Sequence, residues 1–282
     1  MAYPTVTGPY GLIPMNAIGG RQFAGATRMI PIASGYATTL YFGDPVKFTS
    51  DGTLITSGLA YNSAATETGG TLGVFLGCEY TQAGGPLFGK LRSQKWVGGT
   101  VASDAVAYVC DDPAVIMKVA LVAYGTGAST TIAAASPTVL GTNLTTVATA
   151  TANDGSLANA NGNSNVGAML ASGNARRTTT APFRVVGLVE ETKILTTQTV
   201  TTTSGSTSAT LSAATADIKV GMKITGTGIA AGTVVAAVSG TSLTLSANAT
   251  ASGTVTLTFE GYQEVLVKWN AGYHAYENAV AI

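Results

Sequence analysis

Nowhere in this 282-residue chain do apolar residues recur at helical spacing over the length that a long amphipathic helix needs. The apolar runs are short, and each is cut off by Gly, Pro or an Asp-containing turn, which restricts the chain to strands joined by tight connections. Ile218, Val220, Met222 and Ile224 alternate with Lys219, Gly221, Lys223 and Thr225, the period of a half-buried strand. Asp51-Gly52 and Ser239-Gly240 supply hairpin turns. The expected fold is all-β: an extended N-terminal arm, a compact β-barrel or β-tulip-like core domain, and a small inserted β-sandwich module.

Residues 1–34 are the expected arm. Pro4, Pro9, Pro14 and Pro31 oppose helix and central strand, while Tyr10, Leu12, Phe23 and Ile30 make the segment too apolar for a solvated tail. It needs a surface to lie on, its own domain's or a neighbour's. The core domain is expected over 35–195 plus 260–282. Its strands are Val46–Thr49, Leu54–Thr56, Leu72–Cys78, Asp104–Cys110, Val115–Ala120 as hairpin partner of the last, Phe183–Val189 and Glu264–Trp269. Glycine within Leu72–Cys78 marks places where backbones approach or bend. Within this domain 125–182 is a Thr/Ala/Asn/Gly-rich excursion whose Leu144, Val147, Val166 and Met169 recur too sparsely for a core, so it is expected to order by packing on neighbours. The module is expected over 196–259, with its ends near Leu195 and Phe259 close together because core strands flank it. Its core face is assigned to Val220, Met222, Ile224, Leu243, Leu245, Val255, Leu257 and Phe259.

Charge narrows the function. Acidic and basic residues number 14 each, and together they are 10% of the chain. No basic excess suggests a nucleic-acid partner, and no apolar run suits a membrane span. The start, Met1-Ala2-Tyr3-Pro4, resembles no secretory signal, so the chain is expected to be made in a reducing bacterial cytoplasm with Cys78 and Cys110 as buried thiols. Near-zero net charge removes the repulsion that keeps a free monomer soluble, which suits a component of a large assembly.

Catalytic and metal chemistry find little material. One histidine, His274, cannot build a zinc site, and between Tyr273 and Tyr276 it reads as a packing residue. The pairs Asp111-Asp112 and Glu190-Glu191 invite a glycosidase reading, but adjacent strand residues face opposite ways and Asp111-Asp112-Pro113 is a turn. Gly226-Thr227-Gly228 lacks the βαβ context of a dinucleotide loop. Tyr36, Tyr41 and Phe42 read as core or interface residues before a sugar platform. No catalytic, cofactor or metal residue is assigned.

The run from Gly19 to Tyr36 (GGRQFAGATRMIPIASGY) and Phe42-Gly43-Asp44-Pro45-Val46-Lys47 resemble a family of virion structural proteins of tailed bacteriophages, of the cyanophage and marine-phage type. Gly73–Cys78, Asp104–Val109 with Asp111-Asp112-Pro113, Phe183–Val189 and Val265–Val267 extend the resemblance. The order of elements is similar to that of the small head-decoration proteins of lambda-type phages, in which an arm precedes a β domain that trimerises on the capsid. The resemblance implies a non-enzymatic decoration or cement protein on the head exterior, partnered by the major capsid protein and by copies of itself as a homotrimer. The arm would contact the shell through Tyr10, Arg21, Phe23, Arg28 and Ile30. The alternative is a tail- or fibre-associated protein that binds glycans or contacts the host.

Overall fold

Turn residues decide where the strands begin. Asp51 and Gly52 reverse the chain between β4 (Pro45–Phe48) and β5 (Leu54–Thr56), with Gly52 at a φ of 73° and its N–H donating to Thr49 O at 3.0 Å. Around this hairpin the computed structural model describes residues 9–17, 23, 25–57, 70–82, 89–123, 139–148, 162–170, 181–189, 192 and 195–277. They fall into two compact units, one within Val189–Glu264 and one made of the remaining described residues. The architecture is all-β.

In the larger unit one sheet runs β2 (Arg28–Pro31), β9 (Val106–Cys110), β6 (Thr71–Thr81), β4 and β5, with β7 (Lys90–Ser93) beside β6. A bridge between Ile32 and Leu54 ties its two ends together. Ile30, Leu54, Leu72, Phe75, Trp96 and Val109 fill its core. Gly73 is needed here, because a Cβ would stand 2.1 Å from the Cys110 carbonyl oxygen where β6 and β9 approach. The short pair β3 (Leu40–Tyr41) and β8 (Lys95–Trp96) flanks this core, and Trp96 donates its indole N–H to Tyr36 O at 3.1 Å.

A second sheet in the same unit runs β1 (Ile13–Ala17), β10 (Val115–Ala123), β12 (Val166–Leu170), β11 (Asn143–Ala148), β13 (Phe183–Leu188) and β20 (Glu264–Trp269). β10 also pairs with β20, which curls the sheet into a ring around Met117, Val119, Leu144, Phe183 and Val267. Phe183 packs on Trp269 with ring centroids 4.4 Å apart.

A buried polar seam joins the two sheets. Leu12 N–H donates to Gly43 O, Gly43 N–H to Phe75 O, and Phe75 N–H to Asp44 O, each within 2.9 Å. The Asp44 carboxylate, 2% exposed, accepts from Tyr41 N–H at 2.9 Å and from the Ser164 hydroxyl at 2.5 Å.

Several expectations meet a different arrangement. The described part of the arm takes the first of its two expected surfaces, its own domain's, and as strands in place of a strap: β1 pairs with β10, β2 pairs with β9, and Leu12, Ile30 and Ile32 are core residues of its own unit. The hairpin expected between Asp104–Cys110 and Val115–Ala120 does not form. Asp111-Asp112-Pro113 turns the chain from one sheet into the other, with Asp112 Oδ1 accepting from Ala114 N–H at 2.8 Å. The Thr/Asn-rich excursion supplies two core strands, β11 and β12, through Leu144, Val166 and Ala168, so its sparse apolar residues suffice once neighbouring strands cover them. Residues 125–138, 149–161 and 171–180 of the excursion, and Glu190-Glu191, lie outside the described residues.

The smaller unit holds one six-stranded sheet in the order β16 (Lys223–Thr225), β19 (Gly253–Glu260), β14 (Leu195–Thr202), β15 (Ser208–Leu211), β18 (Ser242–Leu245), β17 (Val235–Ser239). Its first and last strands meet through Ile224 N–H to Thr233 O and Val235 N–H to Met222 O, so the sheet wraps a core of Val200, Leu211, Ile224, Leu243, Leu257 and Phe259. Leu195 stands opposite Glu260 and Thr196 opposite Phe259, so the module's ends are adjacent. The strand expected over Ile218–Thr225 is confined to Lys223–Thr225. Gly221, at a φ of 90°, puts a turn before it, and Val220 is 56% exposed instead of in the core.

Candidate interaction surface

The expected arm contacts are scattered. Tyr10 is half-buried, with the Lys118 ammonium 5.7 Å from its ring centroid, and Phe23 is half-buried beside Met15, whose carbonyl accepts its N–H. Ile30 is buried, which withdraws it from any partner. Arg21 lies outside the described residues. Arg28 is exposed, but its Nε holds Asp111 of its own chain at 2.9 Å, and its guanidinium carbon lies 5.2 Å from the Tyr276 ring centroid.

The side chains between them form a more coherent surface. On β2, Ile30 points inward, so Met29 and Pro31 point out, and Met29 is 63% exposed. The register continues this face across the sheet: Met29 opposes Tyr108, which opposes Gly77, and Pro31 opposes Val106, which opposes Glu79, which opposes Arg92. Four strands at the ordinary spacing make a face about 14 Å wide. Tyr108 stands where Gly77 offers no competing side chain, and donates its hydroxyl to Glu79 Oε2 at 2.8 Å. Arg92 Nε reaches the same oxygen at 2.7 Å, and Lys90 Nζ lies 3.2 Å from the other.

These bonds set the electrostatics. The Tyr108 hydroxyl, then Arg92 and Lys90, hold the Glu79 carboxyl down to about 2. The carboxylate is therefore a fixed anion that orders two cations, with the Arg92 side chain 78% exposed and that of Lys90 51%. Exposed pairs of this kind contribute little to stability, so their weight is in ordering the side chains of the face. At the far end Asp104 accepts from both the N–H and the hydroxyl of Thr81, and borders an open depression lined by Ser34, Val101, Ala102 and Ser103.

Such a face offers contact rather than reaction. Methionine, tyrosine and arginine on a rigid sheet are residue types that partners bind. Among the described residues the carboxyl pushed toward the range of a working acid–base group is Asp44, raised by burial to about 6, and it is sealed inside the seam. Among the described residues no cluster of three or more His, Cys, Asp or Glu could hold a metal ion.

Sequence reading singled out Arg28 but not Met29, Tyr108, Glu79 or Arg92. The period-two run Lys90-Leu91-Arg92 does put two cations on one strand face, but only the register of β6 and β7 brings them to Glu79. Comparison with family models, with curated proteins and with solved structures gives no match.

Proposed function

We propose that this chain is a non-enzymatic structural protein of a tailed-phage particle, a decoration or cement protein seated on the exterior of the assembled head. Its partners in this reading are the major capsid protein and further copies of itself. The observation that carries the proposal is the outward face of Met29, Pro31 and Tyr108, flanked by Arg92 and Lys90, on a sheet whose inner side is fully packed. A surface of this kind buries apolar area on docking and keeps its charges at the rim, where they cost little desolvation. A protein that binds only the assembled shell stabilises it by mass action.

In this reading the outward face is the contact, with Met29 and Pro31 as the arm's share of it, while Leu12, Ile30 and Ile32 of the arm are used inside the chain. Quantitative mass spectrometry of purified particles tests the role. A decoration protein approaches the copy number of the major capsid protein, whereas a tail- or fibre-associated glycan binder is present in far fewer copies. On heads stripped of the protein, a Met29→Asp, Arg92→Gln variant should bind at least about 30-fold more weakly, as for loss of an interface hot spot, while the isolated protein stays folded with its tryptophans buried. Absence from particles, or full-strength binding by that variant, would overturn the proposal.

A further inference from the structure

Residues 270–277 form a strap across the start of β6. His274 bridges to Thr71, and Ala275 N–H donates to Thr71 O at 2.9 Å. His274 itself is 0% exposed, edge-on to Trp269 at 5.6 Å and to Tyr276 at 5.0 Å between ring centroids. Its Nδ1 accepts the Tyr276 N–H at 3.3 Å, so the ring's own proton sits on Nε2, which has no hydrogen-bond partner. Beyond the histidine, Tyr276 donates its hydroxyl to Asp111 at 2.5 Å, under the Arg28 guanidinium.

We propose that the strap is an acid-released latch: it lies in place only while His274 is neutral, and protonation lifts residues 270–277 from β6 and from the Arg28–Asp111 pair. A second proton would have to enter at Nδ1. That cancels the bond from Tyr276 and leaves a buried cation whose new Nδ1–H has lost its partner. The charged groups that face the ring are Glu277 on the strap, Asp111 and Asp112 on the turn after β9, and Arg28 on β2, already paired with Asp111; β6 presents the Leu72 backbone. The carboxylates and that backbone favour the imidazolium, but burial outweighs them and keeps the ring's ionisation below its ordinary 6.5.

The sign follows from linkage. Above pH 6.5 both closed and open straps are neutral at this residue, and the latch is at full strength. As pH falls through 6.5 the open strap takes the proton first, so opening rises about tenfold per pH unit until the closed form titrates as well.

The chain's single histidine gives one imidazole resonance to follow by proton NMR. It should titrate below 6.5, and the exchange protection of the Ala275 and Tyr276 amides should fall about tenfold per pH unit from 6.5 down to that titration, while Val200 in the module stays protected. His274→Asn keeps an acceptor near Nδ1 without a titrating ring, and its protection should be flat with pH. A resonance titrating at or above 6.5, or strap protection that persists through the titration, overturns the proposal. In the natural chain, a loss of strap protection that sets in near 6.5 and is complete as the resonance titrates decides it even where the variant does not fold.

Discussion

Asp44→Asn should make the protein more stable at neutral pH and leave it unchanged in acid. The carboxylate is 2% exposed and receives only the Tyr41 N–H and the Ser164 hydroxyl, and Ser164 Oγ in turn accepts from Val166 N–H at 3.0 Å. Burial lifts its ionisation from 3.8 to about 6 against those two bonds, a difference of about 3 kcal/mol between acid and neutral pH. Because the folded state holds this proton more tightly than the unfolded chain, the contribution is full below 3.8 and is lost as pH rises through about 6. Asparagine is neutral throughout, with Oδ1 placed to accept from Tyr41 and Nδ2 to donate to Ser164. Both tryptophans, Trp96 and Trp269, are buried in the unit that contains Asp44, so their emission reports its unfolding in urea. The variant's midpoint should exceed the natural one by about 1 M at pH 8, for a slope near 3 kcal/mol/M, and converge with it near pH 4. His274 gives an opposite slope in part of this range, but it is common to both proteins and cancels in the difference. A variant whose advantage does not grow with pH, or which is weaker at pH 8, would show that the two bonds outweigh the desolvation.

Excising the module is a second test. Leu195 and Glu260 are paired, so a short Gly/Ser linker in place of residues 196–259 should span the gap and leave the tryptophan-reported melting of the larger unit within about 1 kcal/mol of the natural chain; loss of that transition would show the module to be integral. The thiols give a third: burial raises Cys78 to about 12 and Cys110 to about 11, so at pH 8 less than about one thiol in a thousand is ionised, and both should resist iodoacetamide until urea unfolds the protein. Labelling of the native chain as fast as in urea would contradict their burial.

Strand positions were largely legible, because turn residues and period-two alternation are local. Leu54–Thr56, Phe183–Leu188 and Glu264–Trp269 occur where the pattern puts them. Pairing was not legible. Asp111-Asp112-Pro113 announces a turn equally well whether the next strand returns to the same sheet or departs to another, and here it departs. β14 and β15 were missed because their outward positions are threonine and serine; Thr197, Thr199 and Thr201 stand opposite Thr258, Thr256 and Thr254, and β-branching alone, without alternating hydrophobicity, marks them as strand. The candidate surface was hidden for the same long-range reason. Glu79, Arg92 and Tyr108 lie in three separate strands, and Asp44, which reads as a turn residue in Phe42-Gly43-Asp44-Pro45, is made a core group by Ser164, 120 residues away.

A chain with zero formal net charge has no long-range repulsion to keep copies apart, so its sheet edges need another safeguard. Among the described residues a closing contact runs across each large sheet: β10 to β20 in one, with β1 left outside the ring, Ile32 to Leu54 in another, and the start of β17 to the approach of β16 in the module. Closure satisfies backbone groups that an open edge would offer to any passing strand. β7 pairs only with β6, and it carries Lys90 and Arg92, two of the chain's 14 cations. Cationic side chains on an edge oppose indiscriminate strand addition, because a new strand would have to desolvate them. The same two residues rim the outward face of Met29, Pro31 and Tyr108. In the proposed role, edge protection and partner selection would thus share one pair of cations: they would reject a generic strand, and admit only a partner that presents apolar contacts to the face and acidic groups to its rim.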